Sequence, residues 1–91
     1  MQVRVRAFGD LAKILGEDTI VDLPSGSNVE DLIDRLGERS KGLHEKMLRG
    51  EEPRPNFLVL IGGLNIQFLK KFKTILNEGD VVSLLPPAGG G

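Results

Sequence analysis

The chain has 91 residues, 40% of them hydrophobic and 27% charged, a composition that suits one soluble domain around a single core. Twelve basic and thirteen acidic residues leave a formal charge of −1, which gives no reason to expect nucleic acid or an anionic membrane as a partner. The sequence has no cysteine, so disulfides, thiolate metal sites and thiol nucleophiles are excluded. The one histidine, His44, has no second ligand or nucleophile near it, so the side chains indicate neither a metal site nor an enzyme.

The sequence also lacks the signals of membrane insertion or export. No apolar run approaches the roughly 20 residues that a membrane helix needs. The chain begins directly with an alternating segment and shows no signal-peptide core. We therefore expect a cytoplasmic protein that is not attached to a membrane.

The first part of the chain predicts two paired strands. Residues 2–8 alternate between apolar and polar side chains, the period of a half-buried strand, and Phe8 falls on the polar face. A short helical turn over 11–15 ends at Gly16, and Asp18–Leu23 then predicts a second, antiparallel strand. The apolar face of the first strand consists of Val3, Val5 and Ala7.

The main helix is predicted to begin after Asn28. Asn28 is a good N-cap, and Asp31 three residues later places a carboxylate near the free N–H groups of the first turn. Apolar residues then recur at i, i+3, i+4 and i+7, which predicts one stripe for a sheet to cover. This stripe consists of Val29, Leu32, Ile33 and Leu36.

The second half of the chain contains the remaining strands. Residues 43–48 predict a second, shorter helix, and Gly50–Asn56, which contains two prolines, predicts a loop. Phe57–Ile61 is a continuous apolar run, typical of a central strand that is covered on both faces or nearly so. Gly62-Gly63 predicts a tight turn, and Val81–Leu85 predicts the last strand. The residues of the short helix expected to face inward are Leu43, Met47 and Leu48.

This order of elements predicts an α+β domain. We expect a mixed sheet of four to five strands with one main covering helix. The first and last strands are expected to lie side by side and parallel, with the helix in the crossover that such a pair requires. We assign residues 1–85 to this domain and residues 86–91 to a flexible tail.

The tail is the strongest candidate for a functional group. Pro86-Pro87 prevents the last strand from continuing, because proline has no N–H for the ladder. Three glycines then end the sequence, and a glycine end without Cβ atoms can enter a narrow channel and present a bare carboxylate. The alternative is a frayed or artificial end, since termini are usually disordered.

The ending of the chain resembles that of the MoaD-type ubiquitin-like sulfur carriers. Those proteins finish in a Gly-Asp turn, a strand, a Pro-Pro pair, two spacer residues and a Gly-Gly terminus. Here the turn is Gly79-Asp80, and counting from Pro86-Pro87 places the glycine pair on Gly90 and Gly91, so that Gly89 is a spacer residue.

The resemblance covers most of the chain, with two departures. Gly62 stands where the family usually has an asparagine in its turn. Glycine loses more backbone entropy on folding than asparagine, but it permits the same turn geometry. The segment 40–56 is longer than its counterpart in the thiamin-pathway carriers, so the chain resembles the MoaD type more than those carriers.

The resemblance implies a β-grasp fold and a carrier mechanism. An adenylating enzyme of the ubiquitin-activating kind would use ATP and Mg²⁺ to turn the Gly91 carboxylate into an acyl-adenylate, and sulfur transfer would give a thiocarboxylate. As in molybdopterin synthase, a larger catalytic subunit would accept the tail and pass the sulfur to a pterin precursor during molybdenum cofactor biosynthesis. The chain would bind no cofactor and would be the non-catalytic small subunit.

The resemblance also implies a surface for these partners. Phe8 and Leu85 match family positions in an apolar docking patch, Leu69 is a third candidate, and Pro86 and Pro87 lead from the patch to the tail. An exposed aromatic residue near the tail suits an interface, although Phe8 packing under the following turn is the alternative. The lysines among residues 70–73 either pair with acids on a partner or protect a solvated edge.

Two other functions use the same residues differently. In a protein modifier of the archaeal ubiquitin-like kind, a lysine amine would attack the activated Gly91. In a plain β-grasp interaction module, the tail would be inert. The sequence does not separate these alternatives from the sulfur carrier.

Overall fold

The computed structural model describes residues 1–40, 42–43, 47–49, 52–53 and 57–87 of the chain. A search of these ranges for an apolar helix of membrane-spanning length finds none. In chain order the helices and strands are β1 (Gln2–Ala7), α1 (Gly9–Leu15), β2 (Asp18–Asp22), α2 (Val29–Arg39), β3 (Leu48–Arg49), β4 (Glu52–Pro53), β5 (Leu58–Ile61), β6 (Leu64–Asn65) and β7 (Val81–Leu85). Two 3-10 turns, Ile66–Phe68 and Lys71–Lys73, lie between β6 and β7.

Five strands form one mixed sheet in the order β2-β1-β7-β5-β6. β1 pairs antiparallel with β2 and parallel with β7, with Arg4 opposite Val81 and Ala7 opposite Leu84. β5 pairs antiparallel with both β7 and β6. The predicted α+β class, the mixed sheet and the parallel pairing of the first and last strands are therefore confirmed.

The main helix forms as its sequence predicts. The Asp31 N–H donates to Oδ1 of Asn28 at 2.8 Å, and the Asn28 N–H donates to Oδ2 of Asp31 at 2.9 Å, so each side chain satisfies an otherwise free donor of the first turn. The predicted apolar stripe is fully buried, whereas the other side of α2 is exposed. The stripe residues share one core cluster with the inward-facing residues of the strands.

The two glycines between β5 and β6 form the predicted tight turn. Gly62 has φ +56° and Gly63 has φ +86°. This pair of positive φ values suits a two-residue hairpin turn whose twist matches that of the flanking strands. Glycine at both positions avoids the steric penalty that a Cβ would meet there.

Three details differ from the sequence prediction. Leu43 and Met47 are helical and buried, but Leu48 already belongs to β3, and residues 44–46, which include His44, lie outside the described residues. The segment 50–56, predicted as a loop, contains β4, which pairs antiparallel with β3. β5 is covered on one face only, because Val59 is 2% exposed whereas Leu58 is 42% exposed. The helix that covers the sheet lies on one face, so alternate residues of an entirely apolar strand face outward.

Lys71 holds a backbone conformation that disfavours residues with a Cβ. Its φ is +52°, in the left-handed region, where a residue with a Cβ has an energy about 1 kcal/mol higher than glycine. We therefore expect Lys71→Gly to unfold at higher urea concentration than Lys71→Ala, with a difference of about 1 kcal/mol in the free energy of unfolding. Both variants lack the lysine side chain, so the difference reports the backbone alone.

Lys70 supplies the control for this prediction, because its φ is −95°. At that position we expect the alanine variant to be at least as stable as the glycine variant, since alanine restricts the unfolded chain. A Lys71→Ala variant as stable as Lys71→Gly would contradict the strain that we assign to this residue.

Candidate functional site

The predicted docking residues Phe8 and Leu85 lie next to each other at one end of the sheet. The Phe8 N–H donates to the Leu84 carbonyl oxygen at 3.1 Å, which extends the parallel pairing of β1 and β7 by one residue. On the other side of β7, Leu85 lies directly opposite Leu58 of β5. Phe8 is 41% exposed and Leu85 is half-buried. Phe8, Leu85 and Leu58 thus form a row across three strands on the face that α2 leaves open, and we refer to them as the apolar row.

Sequence reasoning did not identify Leu58 as a site residue. The run from Phe57 to Ile61 contains no polar residue, so its periodicity does not show which side chains face outward. The pairing of Leu58 with Leu85 supplies the missing information, because directly paired residues of adjacent strands point to the same face. Half-buried Leu60 follows on the same face, opposite Ser83.

A basic side chain borders the apolar row. The Cζ of Arg6 lies 5.8 Å from the centroid of the Phe8 ring, within the range of a cation–π contact. Its neighbour Arg4 is instead held by Asp18, with Nε to Oδ1 at 2.7 Å and Nη2 to Oδ2 at 2.6 Å. These charge-assisted hydrogen bonds hold the pKa of Asp18 below its usual value. In the part of the chain that the structure describes, no carboxylate lies within ion-pair distance of Arg6, although Asp18 is opposite it on β2 and the charge of Arg6 also helps to lower the pKa of Asp18.

The base of the tail contacts the first residue of α1. Gly9 has φ +57°, and a Cβ placed on it would lie 3.1 Å from Cγ of Pro86. Pro86 is half-buried and Pro87 is exposed, so the chain leaves the domain between these two residues. Ala88 to Gly91 lie outside the described residues, so the roles predicted for Gly89, Gly90 and Gly91 stay predictions.

The structure does not bring Leu69 together with the apolar row. Leu69 follows the first 3-10 turn and lines a cavity of about 520 Å³ with Phe68 and Ile75, among others. All the residues that line this cavity come from the segment 68–75, and none belongs to β1, β5 or β7. Two of the three predicted patch residues are therefore neighbours, and the third belongs to another surface.

The described ranges contain no side-chain arrangement for a metal ion. Among these residues, no group of three or more His, Asp and Glu side chains is placed to hold one. Every buried side-chain nitrogen or oxygen in the same ranges has a hydrogen-bond partner, so none of these atoms points to a missing ligand.

Comparison with known proteins agrees with this geometry. A curated relative, small archaeal modifier protein 3 of Haloferax volcanii, is 28% identical over 92 residues, with 100% of each chain covered. The solution structure of small archaeal modifier protein 1 from Methanosarcina acetivorans is 28% identical, with a TM-score of 0.79 over 99% of this chain and 96% of that one. A Pyrococcus furiosus structure described as subunit 1 of a molybdopterin converting factor is 25% identical, with a TM-score of 0.77 over 96% of this chain and 98% of that one.

These structures share the arrangement described above, a mixed sheet covered by a helix with the first and last strands parallel at its centre, which is the ubiquitin-like β-grasp fold. At the level of sequence, the model of the ThiS family matches residues 5–91, which include the second half of β1, the apolar row and the whole tail. The chain therefore belongs to the ThiS family, a group of small ubiquitin-like sulfur carriers and protein modifiers.

Proposed function

We propose that this protein is the sulfur carrier of molybdopterin synthesis, acting as the small subunit of molybdopterin synthase. The observation that carries the proposal is the apolar row beside the base of the tail. The row offers a docking face on the strand that leads directly to Pro86, so a partner bound there receives the tail at a fixed place. The similarity to the Pyrococcus furiosus converting-factor subunit supports the same function.

The proposed chemistry takes place on the Gly91 carboxylate. In the adenylating enzyme, with ATP and Mg²⁺, a carboxylate oxygen attacks the α-phosphorus, and pyrophosphate leaves. The acyl-adenylate makes the carbonyl carbon electrophilic, because AMP is a good leaving group. Hydrosulfide (HS⁻) delivered by a sulfur donor then attacks that carbon and expels AMP, and loss of the sulfur proton leaves a thiocarboxylate for the large subunit of the synthase. Because the chain contains no cysteine, its C-terminus is the only plausible attachment point for sulfur in this chain.

A second candidate function is conjugation to lysines of other proteins. It is favoured by the full-length similarity to a small archaeal modifier protein. The activation step is the same, but an amine attacks the acyl-adenylate, AMP leaves and an amide forms. Both functions need the apolar row for activation, and they differ only in the nucleophile.

Intact-mass spectrometry of the full chain tests the proposal. After incubation with an adenylating enzyme, ATP, Mg²⁺ and a sulfur donor, we expect a mass increase equal to the replacement of one oxygen by sulfur. Deletion of Gly91 is expected to abolish this product, whereas Gly89→Ala, in the spacer, is expected to retain it. Amide conjugates that form without a thiocarboxylate would favour the modifier, and the absence of any ATP-dependent product would contradict both functions.

A further inference from the structure

A second apolar surface is formed by the chain segment that connects β6 to β7. Phe68 is 80% exposed, Ile75 is 54% exposed and Leu69 is 39% exposed. These three side chains line one cavity of about 520 Å³ together with Lys70 and Thr74. We refer to these five residues as the Phe68 surface. Large apolar side chains grouped at a concave site on the surface of a small domain mark a place where another molecule binds.

The Phe68 surface is separate from the apolar row. Ile75 forms an isolated antiparallel bridge with Asn28, the N-cap of α2. The bridge places this surface beside the first turn of the covering helix, whereas the apolar row lies on the face that the helix leaves open. A partner on the Phe68 surface therefore does not occupy the docking site at the base of the tail.

The positive charge of this segment favours an acidic partner. Residues 66–76 contain three lysines and no acid, although the whole chain has a formal charge of −1. Within the described ranges, neither Lys70 nor Lys73 forms an ion pair with a carboxylate. Exposed lysines beside an apolar cavity favour an occupant that carries both carboxylates and a large apolar side chain.

In the same segment, the backbone N–H and C=O of Ile75 are available to pair with an extended chain. The Val29 N–H donates to the Thr74 carbonyl at 3.1 Å, and the Leu76 N–H donates to the Ser27 carbonyl at 2.9 Å. In such a bridge the N–H and C=O of the central residue, Ile75, point away from the paired strand. Among the described residues, neither group has a hydrogen-bond partner, so both can pair with an added strand.

We propose that the Phe68 surface docks an extended acidic segment of a partner protein. One large apolar side chain of that segment enters the cavity between Phe68, Leu69 and Ile75. Its backbone pairs with Ile75, and its flanking carboxylates face Lys70 and Lys73. This interaction does not need Gly91, and it can coexist with a partner on the apolar row.

Peptide display on the immobilised full-length protein tests this surface. We expect selected sequences to carry a large apolar residue flanked by Asp or Glu. A synthetic peptide of the enriched sequence should shift the amide resonances of residues 68–76 in an NMR titration and should bind more weakly as salt is added. The Kd should rise about tenfold or more in Phe68→Ser, because interface energy is concentrated in such anchors. Phe68 is so exposed that this variant is expected to fold normally.

The matched control is Leu58→Asp, which changes the apolar row and leaves the Phe68 surface intact. We expect the peptide to bind this variant as tightly as the wild type. A selection that yields no Phe68-dependent sequence overturns the proposal. So does Phe68-dependent binding of anionic lipid vesicles or of single-stranded DNA when no acidic peptide is selected, because the occupant is then a membrane or a nucleic acid.

Discussion

Replacing Leu58 by aspartate is expected to reduce kcat/KM for ATP-dependent activation of the tail at least about 30-fold, which corresponds to about 2 kcal/mol. The apolar row presents Leu58 beside Leu85, and a partner that covers the row would have to remove the new carboxylate from water, which is costly. Leu58 is 42% exposed in the free protein, so the domain itself should fold. Pyrophosphate release by the adenylating enzyme measures the loss.

Ile20→Asp is the control for this variant. Ile20 is 52% exposed and lies on the same open face, opposite Arg4, but it belongs to the edge strand β2, which the apolar row does not reach. We expect this variant to be activated almost as fast as the wild type. Equal losses in both variants, or no loss in Leu58→Asp, would mean that the enzyme does not dock on the row.

Gly9→Ala is expected to slow activation about tenfold or more by changing how the tail leaves the domain. The new Cβ would lie 3.1 Å from Cγ of Pro86, so Pro86 must shift by a few tenths of an ångström. Small displacements of a reacting group cause large losses of rate, because the chemistry depends on its position. The apolar row is unchanged, so we expect kcat to fall more than KM rises.

Gly62→Ala provides a control with almost the same φ. Its φ is +56°, against +57° for Gly9, but no atom lies within 4 Å of the added Cβ. The positive φ alone should cost each variant about 1 kcal/mol of unfolding free energy, whereas only Gly9→Ala should slow activation. Pro86→Ala in the Gly9→Ala background removes Cγ from the contact and should restore part of the rate. If both glycine variants were activated equally fast, the contact between Gly9 and Pro86 would not determine where the tail leaves the domain.

Much of the fold follows from local patterns in the sequence. The alternation of β1 and the capped, striped helix α2 were predicted because each pattern has one clear period and one clear start. The parallel pairing of β1 with β7 followed from the order of elements, since strands at the two ends of the chain had to share a sheet. The short hairpin of β3 and β4 was missed, because two-residue strands are too short to show a period.

The candidate site was predicted only in part. Phe8 was recognised because an aromatic residue on a polar strand face is unusual, and the structure places it beside Leu85. Leu58 was missed because its apolar neighbours hide its orientation. The position of Leu69 depends on two successive 3-10 turns and on the positive φ of Lys71. A lysine in the sequence does not indicate a positive φ, because residues with a Cβ rarely adopt one.

Because β7 pairs with a strand on each side, the apolar row forms only late in folding. The apolar row takes its residues from β5, β7 and the end of β1, so it exists only after strands from opposite ends of the chain have met. Such distant pairing is a slow part of folding, because nearly the whole chain must close into a loop first. An unfolded or half-folded molecule carries the same glycines without the row. If an activating enzyme docks on the row, as proposed above, we therefore expect it to adenylate folded chains and to leave unfolded chains unmodified.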